Sequence, residues 1–215
     1  MSIGHKVKQG ESLPGIAKQY GFTDWKKIYD HPENQDFKKK RPNPNILFPG
    51  DKINIPDKET KEESCPTEQK HRFKLLGQPL KLRLALKDFG SEPLANAPCE
   101  LEIDGTVYSL TTDGEGMIEQ PISNSAEKAL LRFQDPLVPF DVAIPIQIGH
   151  LDPVEELTGQ KARLSNLGYY FGPVDGLEDE KLRMAVQEFQ CDNDLKVDGV
   201  CGPKTQTKLK EIHGC

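Results

Sequence analysis

The sequence contains no run of about 18 apolar residues, so it offers no helix able to cross a membrane. Its first residues, Met1-Ser2-Ile3-Gly4-His5-Lys6, lack the apolar stretch of a Sec signal peptide. None of its cysteines (Cys65, Cys99, Cys191, Cys201 and Cys215) forms a C-x-x-C pair, which leaves zinc-ribbon and thioredoxin-type sites without support. An odd cysteine count without a signal peptide is expected of reduced thiols in a cytosol. H-E-x-x-H, G-x-S-x-G and the phosphate loop are all missing. The histidines His5, His31, His71, His150 and His213 are far apart in sequence, so no metal set and no cofactor is implied. A basic surplus is also lacking. Lys and Arg number 28 against 34 Asp and Glu, a net charge of −6, which argues against a general nucleic-acid binder.

What is present is a polar chain of 215 residues with 35% hydrophobic residues, 9 Phe and 5 Tyr, enough to build cores. Its charge is uneven. Residues 1–56 carry 10 basic and 6 acidic residues, residues 57–150 carry 10 and 16, and residues 151–215 carry 8 and 12. Two breaks accompany these shifts. Asp57–Lys70 has no large apolar residue and reads as a linker. At His150-Leu151-Asp152-Pro153 a strand-like alternation gives way to helical spacing. The expected organisation is a multi-domain α+β chain: residues 1–56, a linker 57–70, residues 71–150 and residues 151–215.

In the first segment His5-Lys6-Val7-Lys8 is extended and Gln9-Gly10-Glu11 turns. Ser12 is the expected N-cap of a helix bearing Leu13, Ile16, Ala17 and Tyr20, with Pro14 at its first position and Gly21 at its end. Thr23 or Asp24 caps a second helix with Trp25, Ile28 and Tyr29. Pro49-Gly50-Asp51 then turns into a strand with Ile53 and Ile55 on one face. The expected order is β-α-α-β. The run Lys38-Lys39-Lys40-Arg41 reads as a solvated helix end; a nucleic-acid or nuclear-signal run is the competing reading, and contact with an anionic polymer lies between them.

This segment resembles a LysM module in Val7–Leu13, Ile16-Ala17, Tyr20-Gly21 and Asn45–Pro56. The resemblance implies binding of N-acetylglucosamine-containing glycans, peptidoglycan among them. Carried over, the groove is lined by Gly10, Glu11, Ser12 and Leu13 on one side and by Asn45, Ile46 and Leu47 on the other. Residues His31–Pro44 lengthen the region before the second groove loop and are expected to reshape or occlude the site.

The middle segment alternates like a β domain. Leu80, Leu82, Leu84 and Leu86 form one half-buried strand; Cys99, Leu101 and Ile103 form another. Asp104-Gly105 is a hairpin signal, and Asp113-Gly114-Glu115-Gly116 is a turn rather than a calcium loop. Phe140, Val142, Ile144, Ile146 and Ile148 alternate again, and Pro145 predicts an edge strand or bulge there. Cys99 is expected in the core. The segment resembles immunoglobulin-like or transthyretin-like β-sandwiches in Leu94–Pro98 and Thr111–Gly116.

The last segment predicts three helices: one with Leu157, Ala162, Leu164 and Leu167, one with Leu182, Ala185, Val186 and Phe189, one with Leu209 and Ile212. Val174-Asp175-Gly176 recurs as Val197-Asp198-Gly199, each copy leading into a helix. The segment resembles the peptidoglycan-binding domain attached to many cell-wall hydrolases, over about residues 155–213. It does so in Leu-Gly-Tyr-Tyr, Gly-Pro-Val-Asp-Gly, Ala-Val-Gln-Glu-Phe-Gln, Leu-Lys-Val-Asp-Gly and Gly-Pro-Lys-Thr. Glu178–Lys181 departs from that pattern. Asp175 and Asp198 are expected to hold turns or cap the following helices. Tyr169 and Tyr170 are the contact candidates, since an aromatic face with a hydroxyl suits a sugar; a core role for one of them is the competing reading. His213-Gly214-Cys215 is similar to a fragment of L,D-transpeptidases, but three residues without the surrounding barrel imply an inert tail.

Together these readings describe a bacterial, non-catalytic peptidoglycan-binding protein. The long LysM variant Trp25–Asn34 and the module order resemble proteins that accompany type VI secretion and phage-tail-like systems. That implies an accessory made in the cytoplasm without a Sec signal and delivered to the periplasm or a target cell envelope. The alternative is a structural adaptor that holds a secretion spike, hub or effector through its LysM segment. A cell-wall hydrolase is the third reading.

Overall fold

A computed structural model describes residues 2–58, 67–68, 70, 80–88, 90, 92–134 and 141–214. Most of the expected linker, Phe140, His71, Cys65 and Cys215 lie outside the described residues. Two compact units divide the chain. One comprises Met1–His5, Gly10–Gln35 and Ile53–His150; the other comprises Lys6–Gln9, Asp36–Lys52 and Leu151–Cys215.

In the first unit, strand β1 (Ile3–Lys6) pairs with β2 (Lys52–Ile55). Helix α1 (Leu13–Gln19) begins where Ser12 Oγ accepts from the Gly15 N–H at 3.3 Å. Pro14 stands at its second position, one later than expected, where its missing N–H is equally harmless. Leu13, Ile16 and Ala17 are buried, as the spacing predicts. Buried His5 spans the start of α1: one ring nitrogen lies 3.1 Å from the Tyr20 hydroxyl, the other 2.9 Å from the Glu11 carboxylate. Helix α2 (Lys26–Tyr29) is a single turn, and Asp24 Oδ1 accepts from the Lys26 N–H at 3.0 Å. The chain then departs from β-α-α-β. Pro32–Asn34 forms a 3-10 turn and Gln35–Lys40 a further helix, α3. Asn34 anchors this addition. It is 1% exposed; its amide nitrogen donates to Ile28 O (2.8 Å) and Asn54 O (2.7 Å), and its oxygen accepts from the Asn54 N–H (2.8 Å). The side chain so satisfies backbone groups of β2 that burial would otherwise strand.

Among its described residues the same unit holds six further strands: β3 (Leu80–Ala85), β4 (Pro98–Ile103), β5 (Thr106–Thr111), β6 (Met117–Ile122), β7 (Lys128–Gln134) and β8 (Asp141–Gln147). Antiparallel pairing gives a two-stranded sheet β3-β6 and a four-stranded sheet in the order β5-β4-β7-β8. Leu101 faces Leu131 and Cys99 faces Phe133 across β4 and β7. These residues share one buried cluster with Leu86, Leu94 and Ile118, and Leu82 and Leu84 of β3 pack against it. Pro145 lies on β8, at the edge of its sheet, where a missing N–H costs no ladder bond. Asp104 (φ 47°) and Gly105 (φ 81°) make the β4–β5 hairpin turn. Asp113 Oδ1 accepts from the N–H groups of Glu115 (2.9 Å) and Met117 (2.8 Å), so this carboxylate holds its own turn.

In the second unit, Phe37 is buried and Asp51 gathers the basic run. Its carboxylate takes Lys40 Nζ at 2.8 Å, Arg41 Nε at 2.7 Å and the Phe48 N–H at 3.1 Å. Burial pushes this carboxyl up, but the Arg41 and Lys40 hydrogen bonds outweigh it and hold it below its ordinary value. Helices α4 (Leu157–Asn166), α5 (Glu180–Asp192) and α6 (Pro203–His213) close over Leu164, Tyr170, Leu182, Ala185, Val186, Phe189 and Leu209. Gly159 of α4 admits the backbone of residues 152–153: a Cβ there would stand 1.9 Å from Pro153 O. Arg163 Nη1 ties that segment down, donating to Asp152 O and Gly159 O at 2.8 Å each.

Candidate functional site

Each residue carried over for the LysM groove has a definite place. Gly10 turns with φ +83°, a conformation that favours glycine. Glu11 is engaged by His5, and the Ser12 hydroxyl caps α1. Leu13 is 0% exposed, and Ile46 and Leu47 are 8% exposed each, so these three side chains belong to the core. Asn45 is the exposed member, its N–H donating to Asn43 Oδ1 at 3.0 Å. The polar side chains left at the surface are those of half-buried Glu11 and Ser12 in the first unit and of Asn45 in the second.

The two tyrosines separate. Tyr170 is 1% exposed, and its hydroxyl lies 2.8 Å from Asp179 Oδ2 and 3.1 Å from Pro173 O. It takes the core role that was the competing reading, because both its ring and its hydroxyl are enclosed. Tyr169 is half-buried, edge-on to Phe189 at 5.4 Å, and its hydroxyl donates to Asp192 Oδ2 at 3.1 Å. Burial, then the Asp192 carboxylate, push its phenol up to about 12.

Beside Tyr170 lies a feature no sequence pattern disclosed. The Lys161 side chain is fully buried, and its Nζ donates to Asp175 Oδ1 at 2.7 Å and to Asp179 Oδ2 at 2.9 Å. Burial alone would lower this amine; the hydrogen bonds to the two carboxylates outweigh it and raise it above its ordinary value. Conversely, Lys161, the Leu182 N–H and Tyr170 hold Asp179 down to about 2. Asp179, not Asp175, caps α5, accepting from the Leu182 N–H at 2.7 Å. The cap falls inside Glu178–Lys181, the stretch that departs from the family pattern. Asp175 instead closes its own turn, accepting from the Leu177 N–H at 3.2 Å. Asp198 repeats that move with the Val200 N–H at 3.0 Å. No side chain caps α6, which begins after Gly202.

The two turns present apolar side chains to solvent. Phe171 is 83% exposed, Leu177 70% and Val200 64%; Val174 and Val197, the paired valines of the echo, are about half-exposed. Phe171 sits next to the tyrosines yet was not singled out, since exposure of a loop residue leaves no periodic signal. Chemically reactive groups are muted by contrast. Burial pushes the Cys201 thiol up to about 11 and raises Cys99 too. Burial and the Arg163 charge hold His213 down to about 4. Cys191 and Cys201, whose pairing the sequence left open, are both free thiols. Among the described residues no group of three or more His, Cys, Asp or Glu side chains is placed to hold a metal ion.

Comparison with known families places two modules on the chain. Residues 155–209 match the family described as "Putative peptidoglycan binding domain", and residues 5–31 match the LysM domain. Both are binding modules, and both support peptidoglycan binding. The LysM match stops at His31, where the 3-10 turn and α3 follow, so Asn45, Ile46 and Leu47 lie beyond it. No curated protein and no solved structure matches the chain.

Proposed function

We propose that the protein is a non-catalytic peptidoglycan-binding accessory with four parts: a LysM domain over residues 1–56, a linker over 57–70, an immunoglobulin-like or transthyretin-like sandwich spacer over 71–150, and a three-helix peptidoglycan-binding bundle over 151–215. The observation that carries this is the presence of two wall-binding modules on one chain. Two weak sites that reach the same polymer gain roughly 10²–10⁴ in avidity over either alone. The contact residues we assign are Gly10, Glu11 and Ser12 in the first unit, and Asn45, Tyr169 and exposed Phe171 in the second. Tyr170, Leu13, Ile46 and Leu47 support it from the core.

The test is a pull-down with insoluble peptidoglycan, in which the intact chain is expected in the pellet and complete recovery in the supernatant defeats the reading. Phe171→Ala is expected to weaken retention about tenfold with the melting temperature unchanged, since an exposed ring contributes contact but little packing.

A second reading is favoured by the added helix α3 and by the end of the LysM match at His31. On it the LysM segment serves a contractile injection or phage-like machine, binding a spike, hub or effector and travelling with it to the periplasm or a target envelope. Co-purification with such a component supports it; a chain that binds glycan strongly and no protein partner counts against it.

A further inference from the structure

The first unit contains a cleft of about 380 Å³ that belongs to none of the residues assigned above. It is lined by Gly21, Phe22, Thr23, Lys27, His31, Pro56, Asp57 and Lys58. Its size falls at the lower end of small-ligand sites, roughly 300–1,000 Å³. The turn after α1 shapes it. Gly21 has φ +72°, and the Phe22 N–H donates to Ala17 O at 2.8 Å, which fixes the start of the Phe22 side chain at the cleft. The Lys58 amine lies over this turn, so close that a Cβ at Gly21 would stand 2.5 Å from its Nζ. His31 Nδ1 accepts from the Glu33 N–H at 3.4 Å, which leaves the ring proton on Nε2.

Cationic groups outnumber anionic ones here, with Lys27 and Lys58 against Asp57. Among the described residues, no hydrogen bond or ion pair engages Lys27 Nζ, Lys58 Nζ, His31 Nε2 or the Thr23 hydroxyl. Asp57 has an interaction of its own and offsets one of the two lysine charges. A cleft with two ammonium groups and one carboxylate carries a net positive charge and calls for a ligand that brings negative charge. The two ammonium groups act as separate point charges and so suit a ligand whose negative charges stand apart, as the carboxylates of a peptide do. Phe22 and Pro56 supply apolar surface for small side chains between those carboxylates.

We infer that this cleft binds a short acidic peptide carrying small apolar residues. Its identification with the carboxylate-bearing stem peptide of peptidoglycan rests on the function proposed above. The site would then read the peptide part of the wall polymer while the assigned contact residues read the glycan.

The test uses the full chain, labelled for two-dimensional amide NMR, and three probes: the N-acetylated pentapeptide acetyl-L-Ala-γ-D-Glu-meso-diaminopimelyl-D-Ala-D-Ala, chitotetraose and inorganic phosphate. The peptide is expected to shift the amides of Gly21, Phe22, Thr23 and His31, and chitotetraose to leave them in place. The double variant Lys27→Glu with Lys58→Glu alters two exposed side chains, so its other resonances should match the parent. It is expected to lose peptide affinity roughly tenfold or more and to keep its response to chitotetraose. The inference is overturned if the peptide leaves these amides unmoved, if the double variant binds it as well as the parent does, or if phosphate competes at equal concentration. Intact peptidoglycan separates the two ideas. A chain that binds the peptide through its lysines but stays in the supernatant keeps the cleft and loses the wall-binding function; a chain that pellets without responding to the peptide does the opposite.

Discussion

The two Val-Asp-Gly turns of the carboxy-terminal module look alike in sequence and are held by opposite means. In each, the aspartate accepts from the N–H two residues on, Leu177 in one and Val200 in the other. Behind the first turn stands a buried cation: Lys161 joins Asp175 to the cap Asp179. Behind the second stands a neutral amide. Gln190, 1% exposed, donates to Asp198 Oδ1, Val200 O and Thr205 Oγ1 at 3.0–3.1 Å and accepts from the N–H groups of Asp198 and Gly199 at 3.0 and 2.9 Å. The difference teaches that an echo in sequence conserves the local turn and leaves its support free to vary. The ionic support spans 18 residues and reaches through Asp179 to Tyr170; the amide support stays within 15.

The sharpest way to break the comparison is to remove each support with a side chain of similar length. Lys161→Met is expected to cost about 2 kcal/mol. Stripping one partner from a fully buried pair costs roughly 3–5 kcal/mol, but Asp175 and Asp179 keep 40% and 33% of their side-chain surface in water and recover part of their hydration. Urea unfolding measures it. A loss below 0.5 kcal/mol, the size of an exposed pair, would show that the first turn does not lean on its cation.

That support was also the least legible part of the module. Leu182, Ala185, Val186 and Phe189 could be read from helical spacing, and all four are buried. The same logic assigns Lys161 and Arg163 to solvent, because charged residues are almost never fully buried unless paired. Their partners, Asp175 and Asp179 for one and backbone carbonyls for the other, lie 4 to 18 residues away and follow no period. Asp179 was hidden for another reason: the repeated Asp-Gly marks the turns, while the N-cap is set by where α5 begins. At the other end of the chain the β-α-α-β pattern was legible except for α3, whose single buried residue Phe37 leaves no amphipathic stripe. Pro145 marked its strand as an edge because one missing N–H constrains topology directly.

Gln190→Leu probes the second turn and is expected to cost somewhat less, about 1–2 kcal/mol. It leaves the Gly199 N–H and a threonine hydroxyl unmet, while the Asp198 N–H keeps Lys196 O at 3.1 Å; a group kept from water costs roughly 1–3 kcal/mol, and these lie at a surface turn that water can enter. The discriminating observation is locality. Line broadening or shifts should be confined to residues 197–205 for Gln190→Leu and to residues 171–182 for Lys161→Met. Spread of either effect across both turns would mean that the two supports act as one.

The smallest expected effect separates charge from amide without any mutation. Lys161 is raised above its ordinary value of 10.5, so its contribution is complete below that pH and is lost as pH climbs through the higher folded value. Asp179 is lowered from 3.8 to about 2, so its contribution is complete above pH 3.8 and is lost as pH falls toward 2. The first turn is thus weakened at both extremes. Asp198 is also lowered, by the Val200 N–H and then Gln190, so acid weakens the second turn as well. In base the Gln190 amide has no proton to lose; the groups near this turn that can titrate are the exposed Lys196, 3.4 Å from Asp198 Oδ2, and the Cys201 thiol, pushed up to about 11. The methyl resonances of Val174 and Val197 report on the two turns separately. As pH is raised past 10.5 toward the higher folded value of Lys161, the Val174 signal is expected to move further than that of Val197. Equal movement of both would show that alkaline loss reflects the whole module opening, and the contrast between an ionic and a neutral anchor would no longer describe how these turns are held.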